Sequence, residues 1–180
     1  MESNRAASSA PEIIELVQEA RVAREQARRI ESLPEERKLL FVLRISGILI
    51  GLPAFFVQAV IAADTPCPLP LAPAHLLGLV PHSEGALAVV DLARFLELGT
   101  TTVEAGTSRI VVIRSDELEA GVLCEQALGV HSAGVDEIDR DYVVHAGQLT
   151  TYTTFECQLA CGRVVSLDPT RLLQAMQLRA

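Results

Sequence analysis

The sequence predicts a mostly β fold with a helix at each end, and three observations predict it. Between Leu39 and Leu167 the apolar residues come in short runs broken by glycine, proline and small polar residues, the punctuation of strands and tight turns. Valine and isoleucine crowd those runs, and β-branched side chains fit a pleated surface. The longer stretches of helical spacing lie before Ser32 and after Asp168.

Residues 1–38 read as an N-terminal helical extension and 39–180 as the globular unit. Ser9 and Glu12 form a capping-box pair around Pro11, so a helix is expected to run to about Ser32. Ile13, Leu16, Ala20, Ala23, Ala27 and Ile30 recur at alternating spacings of three and four, which places them on one narrow seam. Such a seam either packs on its own globular unit or pairs with a receptor helix or a second copy of the chain. Ser32 and Glu35 around Pro34 repeat the capping pattern and predict one short helical turn.

Strands are expected at 39–46, 48–52, 55–62, 86–90, 109–114, 120–125, 127–133, 142–145, 155–160 and 162–167. They fall into two groups split near Thr100 to Thr107, where GTTTVEAGTS reads as a connecting loop. Leu92 to Leu98 predicts a short connecting helix capped by Asp91, and Asp168 followed by Pro169 opens a C-terminal helix bearing Leu172 and Leu173.

With 180 residues, 49% hydrophobic and 21% charged, the chain can bury a substantial core and is not of the disordered class. Only 4% is aromatic, and tryptophan is absent, leaving little to stack on bases. A net charge of −8, with eight basic against fifteen acidic residues from Leu39 onward, disfavours nucleic acid and anionic membrane surfaces. Nineteen uncharged residues lie between Arg44 and Asp64, long enough for a membrane span. Gly47, Gly51 and Pro53 interrupt them, so two buried strands are expected and no membrane insertion. Glu2, Arg5 and Glu12 near the start leave no secretory apolar segment, and the cytoplasm is the expected compartment.

No chemistry is assigned. His75, His82, His131 and His145 are scattered, in no ligand or triad spacing. Cys157 and Cys161 are separated by three residues rather than in a Cys-x-x-Cys pattern, and on a strand they would share one face as two small buried thiols. Cys67 and Cys124 show no obvious partners. No phosphate loop or carboxylate pair stands out, so no catalytic residue, cofactor or metal is expected.

The stretch LPLAPAHLLGLVPHSEGALAVVDL at 69–92 resembles the signature of the CheW-like domain family. Its parts are Pro70, Pro73, an apolar segment closed by Gly78, a strand at Leu79 and Val80, a polar turn from Pro81 to Gly85, and Leu87 to Val90 ending in Asp91-Leu92. Residues 39–61, 109–130 and 162–173 resemble further blocks of that family in the same order. The resemblance implies two small five-stranded β-barrel subdomains, and a non-enzymatic adaptor of a chemosensory complex, associated with membrane receptor arrays. Its implied partners are the regulatory domain of a histidine autokinase and the cytoplasmic tip of a chemoreceptor. Carried over by position, the partner-binding residues are Val57, Ala59, Gly78, His82, Ser83 and Glu84.

The chain departs from the family pattern at Ala59, where a glutamate is common, and over Pro81 to Glu84, where the family turn reads Asn-Leu-Arg-Gly. Ala88 stands where a proline is common. Loss of an acid and an arginine together removes any contact that needed those charges, which implies an altered partner preference. A self-assembling structural subunit of the array that does not contact the kinase is the alternative.

Overall fold

Leu40, Phe41, Val42 and Leu43 are four consecutive buried residues that feed two different cores. The computed structural model describes residues 37–83, 85–139 and 147–178; the expected N-terminal helix with its seam, the turn around Pro34 and the strand at 142–145 lie outside them.

The chain opens with β1 (Arg37–Ile45) and β2 (Ile48–Pro53), joined by a two-residue turn. Ser46 and Gly47 both have positive φ, at 49° and 75°, the turn that matches strand twist. A 3-10 turn at Ala54–Phe56 leads to β3 (Val57–Ala62), followed by β4 (Leu76–His82), β5 (Gly85–Val90) and the short helix α1 (Leu92–Phe95). β6 (Arg109–Ser115), β7 (Leu118–Cys124) and β8 (Gln126–Gly134) follow, then a 3-10 turn at Val135–Glu137 and β9 (Ile138–Asp139). The chain closes with α2 (Leu149–Tyr152), β10 (Thr153–Leu159), β11 (Gly162–Leu167) and α3 (Pro169–Leu178).

The strands form two sheets, one of six strands in the order β8-β1-β2-β11-β10-β9 and one of five in the order β3-β6-β7-β5-β4. The expected five-plus-five arrangement is therefore corrected to six and five. The expected division near Thr100 to Thr107 is also corrected, because that loop joins α1 to β6 inside the second sheet. Grouping follows pairing rather than chain order: β8 returns to pair with β1, and β11 lies parallel to β2.

Alternate residues of β1 and of β6 feed different cores. Leu40 and Val42 of β1 join Phe155, Cys157, Leu159 and Val164 inside the first sheet. Ile110 and Val112 of β6 join Val80, Leu87, Val89 and Leu123 inside the second. Phe41, Leu43, Val111 and Ile113 point the other way, into a shared core with Leu92, Phe95, Leu149, Tyr152, Leu172 and Leu173. Strands buried on both faces read as continuous apolar runs rather than alternating ones, which accounts for the uncharged stretch after Arg44. No helix among the described residues is long and apolar enough to cross a membrane.

Both helix caps form as expected. Asp168 Oδ1 accepts from the Arg171 amide at 3.1 Å, with Pro169 opening α3. The helix expected over Leu92 to Leu98 is shorter, ending at Phe95. Phe55, expected on a strand, sits in the 3-10 turn after Pro53 and is 73% exposed. The pyrrolidine ring of Pro53 and two successive phenylalanines cannot all continue the pleat with one face inward.

Candidate partner-binding surface

Among the described residues β3 is an edge strand that pairs with β6. A register shift between Val57 and Ala59 makes Gln58 a bulge, and a bulge re-aims the side chains around it. Val57 and Val60 accordingly pack against the shared core, whereas Ala59 and Ile61 pack against the inner core of the second sheet. A carboxylate at position 59 would meet that apolar cluster, so the alanine suits its surroundings. Phe55 and Phe56 stand just ahead of the strand with ring centroids 4.2 Å apart.

Gly78, His82 and Ser83 belong to the opposite edge of the same sheet. Gly78 has φ 141°, and a Cβ there would lie 2.2 Å from the carbonyl oxygen of Cys67. It lets the chain cross closely over β4, where Cys67 and Leu79 exchange two backbone hydrogen bonds of 2.8 and 2.9 Å. Its glycine identity is thus a packing requirement. His82 ends β4 opposite Gly85, and Ser83 follows in the turn with φ 52° and an exposed side chain. Glu84 lies outside the described residues. The five described candidates form two groups on opposite edge strands rather than a single patch.

Sequence reasoning missed the large apolar side chains that reach solvent: Phe55, Leu69, Leu71, Val103 and Val135. Leu71 is fully exposed and has φ 61°. It follows Pro70 in a turn closed by the Ala72 amide on the Leu69 carbonyl at 3.4 Å, a position that favours glycine. The prolines at 66, 68, 70 and 73 were the available signal for a stiff exposed loop here.

Asp91 is a structural fastener. It is 1% exposed and its carboxylate accepts from the Ala93, Arg94 and Thr101 amides and, at 2.7 Å, from the Thr101 hydroxyl. Arg94 Nε lies 3.2 Å away. The other deeply buried carboxylate, Glu156, pairs with Arg163 across the β10–β11 hairpin.

The cysteines are free. Burial pushes the Cys124 thiol up to about 12 and the Cys157 thiol up to about 11, the latter helped by Glu137, Cys161 and Glu156. Such thiols stay protonated and unreactive near neutrality. Cys161 is not on the strand with Cys157, as the spacing suggested, but in the Ala160–Cys161 turn, half-buried. His75 packs edge-on against Phe95 at 5.2 Å, and His131 lies on β8 opposite Leu40; His145 is outside the described residues. No cluster of three metal-ligating side chains occurs among the described residues.

The comparisons with known proteins bear on this arrangement. Residues 39–177 match the model of the CheW-like domain. The protein FrzA of Myxococcus xanthus is 30% identical over 117 residues, covering 65% of this chain and 71% of FrzA. The crystal structure of the scaffolding protein TtCheW from Thermoanaerobacter tengcongensis superposes with a TM-score of 0.64 at 18% identity, covering 73% of this chain and 88% of that one. A match of this extent, over the same strands that build both sheets, establishes that the chain belongs to the CheW-like domain family.

Proposed function

We propose that this protein is a non-enzymatic adaptor that couples chemoreceptors to a histidine autokinase on the cytoplasmic side of a receptor array. The family match over 39–177 carries the reading, and the likeness to TtCheW, a scaffolding protein, supports it. In this reading each sheet closes as a small barrel, the N-terminal extension ends before Arg37, where β1 begins, and the partners dock on apolar strand edges rather than on reactive groups. The β3 edge with Val57 takes the receptor tip, and the turn holding His82, Ser83 and Glu84 adds to the contact.

The partner preference differs from that of the wider family. Alanine at 59 matches an apolar surrounding, and Ser83 offers one hydroxyl where an arginine would offer a charged planar fork. Both changes lower the charge available for selecting a partner.

The test is titration of the full chain with the purified regulatory domain of the autokinase from the same cell and with a soluble receptor fragment. Binding to both, together with receptor-dependent kinase activity in the ternary mixture, is expected. Self-association by light scattering without binding to either would instead favour the structural subunit.

A further inference from the structure

From Thr65 to Ser83 the chain carries no Asp, Glu, Lys or Arg, although its net charge is −8. Within that stretch Cys67, Pro68, Leu69, Pro70 and Leu71 follow one another, all exposed. Both ends of the loop are fastened to the fold. Cys67 exchanges backbone hydrogen bonds of 2.8 and 2.9 Å with Leu79 of β4. At the far end the Ala74 carbonyl accepts from Arg94 Nη1 at 3.2 Å and the His75 carbonyl from the Asp91 amide at 2.8 Å. Between these anchors Pro68, Pro70 and Pro73 restrict the backbone, and a single turn, Leu69 to Ala72, carries both Leu69, 40% exposed, and the fully exposed Leu71.

Leu71 sits at φ 61°, a region that is costly for a residue with a Cβ, and its full exposure leaves no internal packing to offset that cost. Backbone strain that holds an apolar side chain in solvent on a stiff, doubly anchored turn is the pattern of a preorganised contact. The backbone beside it offers no place for an added strand. Cys67 covers the outer edge of β4 at Leu79, and Pro81 has no amide hydrogen to donate. Recognition here is therefore by side chains, which selects a partner with an apolar socket.

We propose that the Leu69–Leu71 turn is the anchor by which this adaptor docks its histidine autokinase, with Leu71 filling an uncharged apolar socket on the kinase's regulatory domain. The inference rests on the adaptor reading. That reading gives the receptor tip β3 and the turn after β4, and Leu71 stands on neither, which leaves it to the second partner. The absence of charge from 65–83 suits the centre of such a contact, where charged residues are depleted. Shape disfavours a second copy as the occupant. A leucine on a turn is convex, and the other exposed large hydrophobics among the described residues, Phe55, Val103 and Val135, also stand on turns or in a loop rather than as walls of a socket.

Calorimetric titration of the full chain with the purified regulatory domain of the autokinase from the same cell tests it. Leu71→Ser and Leu71→Gly should each weaken binding about tenfold or more, the scale of one leucine side chain withdrawn from water, while Leu71→Met should keep most of the affinity. Glycine suits the backbone at 71, so weaker binding by Leu71→Gly at an undiminished unfolding midpoint is a loss of contact and not of fold. The bound domain should also slow alkylation of Cys67, which is exposed in the free chain. Unchanged affinity in both variants, where the wild type binds the domain, would overturn the proposal and leave the adaptor reading intact. Weakening confined to a soluble receptor fragment would do the same. So would a Leu71-dependent self-association by light scattering, or a Leu71-dependent sedimentation with phosphatidylcholine vesicles, at unchanged kinase affinity. A wild type that binds neither kinase domain nor receptor fragment would refute the adaptor reading itself, and this proposal with it.

Discussion

Replacing Asp91 by alanine should destabilise the fold by about 4 kcal/mol. The carboxylate holds the start of α1 through the Ala93 and Arg94 amides, and it ties down the loop before β6 through the amide and hydroxyl of Thr101. The Ala93 and Thr101 amides are buried, and each would be left without its acceptor at about 1–3 kcal/mol. Loss of a helix cap adds about 1 kcal/mol. The ion pair with Arg94 adds little, because that side chain is 42% exposed. Asp91→Asn should recover only part of the loss, since its amide nitrogen would face the donors that Oδ2 now accepts, the Thr101 amide and Arg94 Nε. Urea unfolding followed by far-ultraviolet circular dichroism is the assay, with a lower midpoint at unchanged slope as the expected signature. Thr101→Val serves as the partner mutation, and the double variant should cost clearly less than the sum of the two. A loss under about 1 kcal/mol for Asp91→Ala would refute the idea that this carboxylate fastens the loop.

Gly78→Ala should cost more than about 2 kcal/mol, because its Cβ would collide with the Cys67 carbonyl and its φ is disfavoured for alanine; thermal unfolding together with faster alkylation of Cys67 would read it. Leu71→Gly should leave stability unchanged or raise it by up to about 1 kcal/mol, since glycine suits that backbone conformation, and calorimetry would detect a loss if Leu71 instead packs on something. The Cys124 and Cys157 thiols have raised folded values against an ordinary 9.0. Their protonated forms therefore contribute stability that is complete below about pH 9 and falls away as the pH rises towards 11–12. Unfolding midpoints across that window should drop by less in the Cys124→Ala, Cys157→Ala double variant than in the wild type. Native alkylation at neutral pH should label Cys67, which is exposed, and spare those two buried residues.

Most strands were legible because burial on both faces leaves unbroken apolar runs between turns, and those of β1, β6 and β11 survive in the structure within two residues of the expected bounds. β4 was legible only at Leu79 and Val80. Gly78 and Pro81 make it resemble a loop, although Gly78 is there for a close backbone crossing and Pro81 is accommodated in an edge strand. The assignment of strands to sheets was not legible at all. Nothing in local periodicity tells β8 to pair with β1 rather than extend the sheet just built, because pairing is set by contacts between strands far apart in the chain. α2 has four residues and no side-chain cap, too little for a sequence signal. Asp91 was legible as a cap, but its hold on Thr101, ten residues away, is a tertiary fact. The candidate partner-binding positions rest on the order of motifs along the chain, which does not tell which edge of a sheet a strand occupies.

The second sheet is inserted between the first and last parts of the first, so the chain crosses from one to the other twice and the two share a core. Beads on a single linker could swing; these two sheets cannot, short of unthreading a hairpin. Two partners bound one to each sheet would therefore be held at a set spacing and angle, and the protein would serve them as a rigid ruler, its length fixed by the side chains packed between the sheets.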